Sequence, residues 1–160
     1  MKYFDEIKKS MDWLNTKSDT LFLGQAVEYD GTAMTRTLRD VDASKKLEMP
    51  VNEEMQTGIT LGMALNGTVP ISIYPRWNFL LLGANQLVNH IDKVKIMSSG
   101  GYTPKIIIRT SIGSQRPLHP QHQHIADFTG GFRAMCDTID IIRLDEPNQI
   151  FDSFKYAYER

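Results

Sequence analysis

Apolar residues along this chain fall into two alternating spacings. Near the amino terminus Phe4, Ile7, Met11 and Leu14 recur every three or four positions among charged neighbours, which predicts an amphipathic surface helix. "TLFLGQAV" follows as an apolar run short enough for a buried strand, then a polar turn, "EYDGTAMTRTLRD", punctuated by Gly31. "LEMP" is a strand-like approach to a helix that opens after Asn52 in "NEEMQTGITLGMAL". "TVPISIYP", residues 68–75, reads as a strand, and "NFLLLGANQLVNHIDKVKIMSSGG" as one long helix ending at Gly100 and Gly101. "PKIIIRTSIG" and "DTIDIIRL" read as two further strands, and "EPNQIFDSFKYAYER" as a last helix with Pro147 in its first turn.

Strands alternating with helices of about 10 to 20 residues predict an α/β three-layer sandwich with a mainly parallel sheet. "LFLG" and "KIIIR" show little alternation, as expected of central strands covered on both faces. A sheet of this kind normally continues into another strand after its last helix. The stop at Arg160 therefore reads as a fragment, a split subunit or a domain completed by a partner.

Composition narrows the function. The 160 residues are 41% hydrophobic, enough for one sizeable core and one domain. With 18 basic against 19 acidic residues there is no electrostatic footprint for nucleic acid or an anionic membrane. Neither a signal peptide nor a run of roughly 18 apolar residues is visible, so no membrane is expected. Cys136 stands alone, which excludes an internal disulfide framework and fits a reducing, cytoplasmic setting.

Candidate chemistry begins at the helix after Pro50. Asn52 is a suitable N-cap, and Glu53 and Glu54 fall in the first turn, where the helix dipole favours negative charge and where capping alone accounts for acids. Gly58 and Gly62 each cost on the order of 1 kcal/mol in a helix interior, so close approach of another backbone is the expected reason for them. In "RPLHPQHQH" the residues His119, His122 and His124 fall within six positions, a cluster that also suits a metal-binding α/β module. Arg109 and Arg116 flank that loop as candidate anion holders, with a structural ion pair the expected use of Arg109. Cys136 reads as unreactive packing.

Several of these segments, in one consistent order from about Leu21 to Glu146, resemble the beta subunits of the thiamine-diphosphate-dependent first components of 2-oxoacid (pyruvate-type) dehydrogenase complexes. "MPVNEEMQTGITLGMAL" is similar to the family's P-[IV]-x-E-x-x-x-x-G-x-x-x-G-x-A segment. "GTAMTRTL" is similar to its G-x-x-x-x-T-x-G-L, with Thr37 where a glycine is usual. "NFLLLGANQLVNHIDKVKIMSSGG" resembles its [DN]-F, D-Q-[IV]-x-N and S-G-G series, and "IIIRTSIG" its I-x-R-x-P-x-G strand.

The resemblance implies that residues 1–160 form a single transketolase-like pyrimidine-binding domain of the thiamine-diphosphate-binding fold, without the family's carboxy-terminal domain. It implies oxidative decarboxylation of a 2-oxoacid such as pyruvate, in an active site shared between chains. Glu53 takes the place of the glutamate that hydrogen-bonds the aminopyrimidine ring, and Phe79 that of the aromatic that stacks on it, with Tyr74 and Trp77 as neighbours in reach of that role. Phe79 equally suits an apolar helix face. His122 takes the place of the family's histidine in a Q-H-S-Q loop that faces the substrate, and "QHQH" departs from that loop after it.

The G-D-G…N motif that holds Mg and the diphosphate is not in this sequence, so the resemblance implies an alpha-type partner carrying it, with the cofactor shared and Mg held mainly by the partner. Self-association is also implied. A non-catalytic relative acting as a binding or regulatory subunit and a transketolase-type transferase are the alternatives.

Overall fold

The computed structural model describes residues 2–113, 115 and 119–160. Among them, four parallel strands form one sheet in the order β2-β1-β3-β4: β1 Thr20–Gly24, β2 Lys46–Glu48, β3 Val69–Ile73 and β4 Ile107–Arg109. Helices cover both faces, which is the three-layer α/β sandwich expected from the sequence. On one face α1 (Tyr3–Asn15) and α7 (Pro147–Glu159) pack together, burying Ile7, Met11 and Leu14 with Ile150 and Phe154 against Phe22, Ile71 and Ile107. On the other face lie α3 (Glu53–Leu65), α4 (Trp77–Leu80), α5 (Val94–Met97) and α6 (Thr129–Met135), with a second apolar cluster of Tyr74, Trp77, Leu80, Leu87 and Phe132.

The four strands end level with one another. Gly24 pairs with Glu48 and with Ile73, and Ile73 pairs with Arg109. The loops that follow them therefore gather at the carboxyl edge of the sheet, where parallel α/β sheets place their ligands.

Besides α6, which the sequence reading did not anticipate, three segments differ from it. The polar turn after β1 contains a one-turn helix, α2 (Ala33–Arg36), capped by the Thr32 hydroxyl accepting from the Thr35 N–H at 3.0 Å. The long helix expected after Asn78 is broken into α4, a 3-10 turn (Leu81–Gly83), a π-helix (Gln86–Ile91) and α5. In the π-helical stretch the Asp92 N–H donates to the Leu87 carbonyl at 2.9 Å, and the wider turn swings Asp92 fully inward. Its carboxylate there accepts N–H bonds from Asp137, Thr138 and Ile139 and pairs with Lys93 at 2.8 Å. Burial works against that charge, but Lys93 and these N–H donors outweigh it and hold the carboxyl well below the usual carboxylate range.

The same network explains the third difference. "DTIDIIRL" is not a strand, because its backbone is engaged elsewhere: three of its N–H groups, those of Asp137, Thr138 and Ile139, go to Asp92, and the Ile141 carbonyl accepts from Arg133. Both this segment and β4 line a cavity of about 1150 Å³.

Candidate functional site at the carboxyl edge of the sheet

Glu53 opens α3 directly behind β2. Pro50 keeps the approach extended, and the Asn52 side chain caps the helix by accepting from the Met55 N–H at 2.9 Å. Glu53 turns toward the sheet and is 3% exposed. Its Oε1 accepts from Gln25 Nε2 at 3.0 Å, and its Oε2 has no hydrogen bond among the described residues. Glu54, on the other side of the helix, is exposed and accepts from Gln86 Nε2 at 3.1 Å.

Behind Glu53 the sheet-facing side of α3 is polar. The Gln56 amide donates to Ser72 Oγ and the Ile73 carbonyl, Thr60 donates to Ser72, and Thr57 and Tyr74 share a 2.6 Å hydroxyl contact. Gln56 Oε1 is buried without a partner among the described residues. Burial raises the Tyr74 hydroxyl above its ordinary pKa.

The two helical glycines do not serve a close approach within this chain. A Cβ at Gly58 or Gly62 would meet nothing within 4 Å. The glycine that admits α3 is Gly83, where a Cβ would stand 2.4 Å from Thr57 Oγ1 and 3.1 Å from the Glu53 carbonyl. Gly58 and Gly62 instead lie exposed between Met55, Ile59 and Leu65, on a face of α3 that nothing in the described chain covers.

Of the aromatics near α4, Tyr74 is fully buried and Trp77 is stacked on Phe132 at 5.0 Å, so both belong to the core. Phe79 is the half-buried one, and its ring lies 5.5 Å from that of His124. Arg76, just before α4, donates from Nη1 to the His124 carbonyl at 3.0 Å, and Nδ1 of the His124 ring is buried with no partner among the described residues. His122 is exposed and faces His119 edge-on at 5.9 Å. Among the described residues no three His, Cys, Asp or Glu side chains stand together as a metal site.

Arg109 makes no ion pair among the described residues, contrary to the expectation for it. Its Nη1 donates to Thr37 Oγ1 at 2.8 Å, and burial lowers its guanidinium to about 10. Thr37, the departure from the usual glycine, is thus the side chain that receives it. Arg116 lies outside the described residues. Cys136 is a free, half-buried thiol whose pKa burial raises. Among the described residues no helix is long and apolar enough to cross a membrane.

Sequence reasoning missed Gln25 and Glu48. The Glu48 carboxylate receives the N–H groups of Ala26, Val27 and Glu28 at 2.7 to 2.8 Å and so closes the loop that carries Gln25. A signal existed in the Gly24-Gln25 pair at the end of a buried strand, but nothing local tied it to Glu53, 28 residues away.

No protein-family model matches the chain. It is 28% identical over 132 residues to the mitochondrial pyruvate dehydrogenase E1 component subunit beta of Ascaris suum, covering 80% of this chain and 36% of that one. It is 29% identical over 124 residues to the subunit beta of Porphyra purpurea, covering 74% and 37%, and 28% identical over 142 residues to the mitochondrial one of Caenorhabditis elegans, covering 86% and 40%. The chain thus spans about two fifths of the length of these curated relatives or slightly less. Over about three quarters or more of its own length, it is similar to beta subunits of the pyruvate dehydrogenase E1 component.

Proposed function

We propose that this chain is the pyrimidine-binding half of a thiamine-diphosphate-dependent enzyme that oxidatively decarboxylates a 2-oxoacid such as pyruvate. In this reading residues 1–160 act as one transketolase-like pyrimidine-binding domain. An alpha-type partner chain holds the diphosphate and most of the Mg coordination, and copies of the pair associate further. Support comes from the similarity to E1 beta subunits and, above all, from one observation: Glu53 is a nearly buried carboxylate with one oxygen occupied by a neutral amide and the other open.

A carboxylate so placed fits a ring nitrogen that needs a hydrogen-bond acceptor, and the half-buried Phe79 ring on the same edge fits an aromatic face. When bound, thiamine diphosphate supplies the nucleophilic carbon for attack on the 2-oxoacid carbonyl. Glu53 orients the ring and shares a proton with its nitrogen, and Phe79 shields it from water. The resemblance gives the substrate-facing role to His122, while His124 is the imidazole in contact with Phe79 and the one whose buried Nδ1 has no partner among the described residues. His124 is therefore the stronger candidate to hand a proton to substrate, with His122 exposed. The uncovered face of α3 with Gly58 and Gly62 is the surface assigned to the partner.

The test mixes the chain with a partner carrying the diphosphate motif and measures thiamine diphosphate binding and turnover. Tight binding only in the mixture is expected, with turnover lost in Glu53→Gln and nearly unchanged in Glu54→Gln. His124→Gln is expected to lower turnover more than His122→Gln. Equal losses in the two glutamate variants would end the proposal.

A further inference from the structure

We infer that Gln25 is a positioning residue for Glu53, presented by a loop that the Glu48 carboxylate holds shut; this rests on the reading of Glu53 as the residue that meets the cofactor ring. The loop begins at Gly24, where φ is 144° and a Cβ would stand 2.1 Å from the Ile73 carbonyl. Only glycine lets β1 leave the sheet pressed so closely on the end of β3. Ala26 then adopts a left-handed φ of 59°, which an alanine accepts only when its surroundings enforce it.

Two anchors enforce it. On one side the N–H groups of residues 26–28 converge on Glu48, the last residue of β2, and the Thr35 hydroxyl donates to the Ala26 carbonyl at 3.0 Å. On the other side Val27 is fully buried in the core. Gln25 is left between them with its amide 3.0 Å from Glu53 Oε1.

The residue type is informative. An amide donates a hydrogen bond without bringing a charge, so it fixes one carboxylate oxygen while leaving the negative charge of Glu53 unneutralised and its second oxygen available. A lysine or arginine would neutralise the carboxylate, a glutamate would repel it when ionised, and an asparagine is one methylene shorter. The other titratable groups at this corner are Glu48, Glu54 and Tyr74.

The assembly of the full chain with a partner carrying the diphosphate motif, supplied with thiamine diphosphate, Mg and pyruvate, tests this through three variants. Gln25→Leu is expected to lower kcat about 10- to 100-fold while the KM for thiamine diphosphate moves less than about threefold, because the carboxylate remains but its orientation is lost. Gln25→Glu introduces a second carboxyl beside the first. Its protonated form donates as the amide does and its ionised form repels, so activity is expected to be largely retained at acid pH and to fall as pH rises, where Gln25→Leu stays uniformly low. Repeating the Gln25→Glu profile in a Glu48→Gln background assigns the titration to the new carboxyl if the fall persists.

A kcat within twofold of the parent in Gln25→Leu, or a Gln25→Glu profile parallel to the parent's, overturns the inference. In the chain alone, the side-chain amide ¹H–¹⁵N resonance of Gln25 is expected to shift in Glu53→Gln, and an unmoved resonance also overturns it. If that resonance moves but Glu53→Gln leaves turnover unchanged, the reading of Glu53 fails and the positioning role with it, while the contact itself stands.

Discussion

The two faces of the sheet are built on opposite plans. Under α1 and α7, apolar side chains point inward and, Glu6 apart, charges point outward: Met11, Leu14 and Ile150 are fully buried, while Lys9 and Lys155 are exposed. Under α3 the order is inverted. Glu53, Gln56, Thr57 and Thr60 face the sheet, and Met55, Ile59 and Leu65 look outward, 38%, 37% and 42% exposed. Burying polar groups is tolerable only where hydrogen bonds replace water, and most of those beneath α3 are so replaced. The first face is a scaffold held by area removed from water. The second keeps hydrogen-bonding side chains in its interior and turns apolar residues outward, the features on which the proposed site and partner surface rest.

Four measurements would break or sharpen that contrast. The largest effect is expected from Glu53→Gln in the reconstituted assembly, a loss of roughly 10²- to 10⁴-fold in kcat with little change in the chain's melting temperature. On the scaffold face, Phe22→Ala should lower unfolding free energy by about 3 to 5 kcal/mol in denaturant titrations, since its side chain is fully buried in the α1–α7 cluster. If Phe22→Ala cost no more than a surface change, the scaffold reading would be wrong.

Asp92→Asn should cost about 3 kcal/mol at neutral pH, because it removes the charge from a buried, multiply bonded carboxylate. The folded-state pKa of Asp92 is depressed, so its contribution is complete above the unfolded value near 4 and disappears as pH falls below it. Acid titration of the parent should therefore show a stability loss below about pH 4 that Asp92→Asn reduces.

The smallest change belongs to the outer face of α3. Gly58→Ala and Gly62→Ala should each stabilise the isolated chain by up to about 1 kcal/mol, since a Cβ at either site meets open space and alanine favours helix. The same variants should weaken association with a partner chain, measured by sedimentation. Unchanged association would mean that this face is not where the partner docks.

Much of this was legible in the residues. The periodicity of Ile7, Met11 and Leu14 located α1, and Asn52 located the start of α3 to the residue. Nearly unbroken apolar runs located β1 and β4, as expected of central strands covered by helices, and the short run before Pro75 located β3. Glu53 was singled out by its place in the family segment that "MPVNEEMQTGITLGMAL" resembles, since capping alone accounts for an acid at a helix start. Other features were hidden because they depend on distant partners. "DTIDIIRL" has strand propensity, yet its N–H groups are captured by Asp92 some 45 residues earlier. The long helix breaks because Asp92 must turn inward to make those bonds, a demand no local window contains.

The chain's own pattern of apolar and polar positions determined the layer architecture and the parallel sheet, since periodicity reports which side of each element must leave water. Tertiary structure alone decided which side chains share the carboxyl edge: that Gln25 reaches Glu53, that Glu48 closes the loop between them, and that His124 lies against Phe79. The reason is physical. Burial follows from the composition of a segment, whereas a hydrogen bond between loops depends on where the strands before them end, and that level is set only when the strands pair in register.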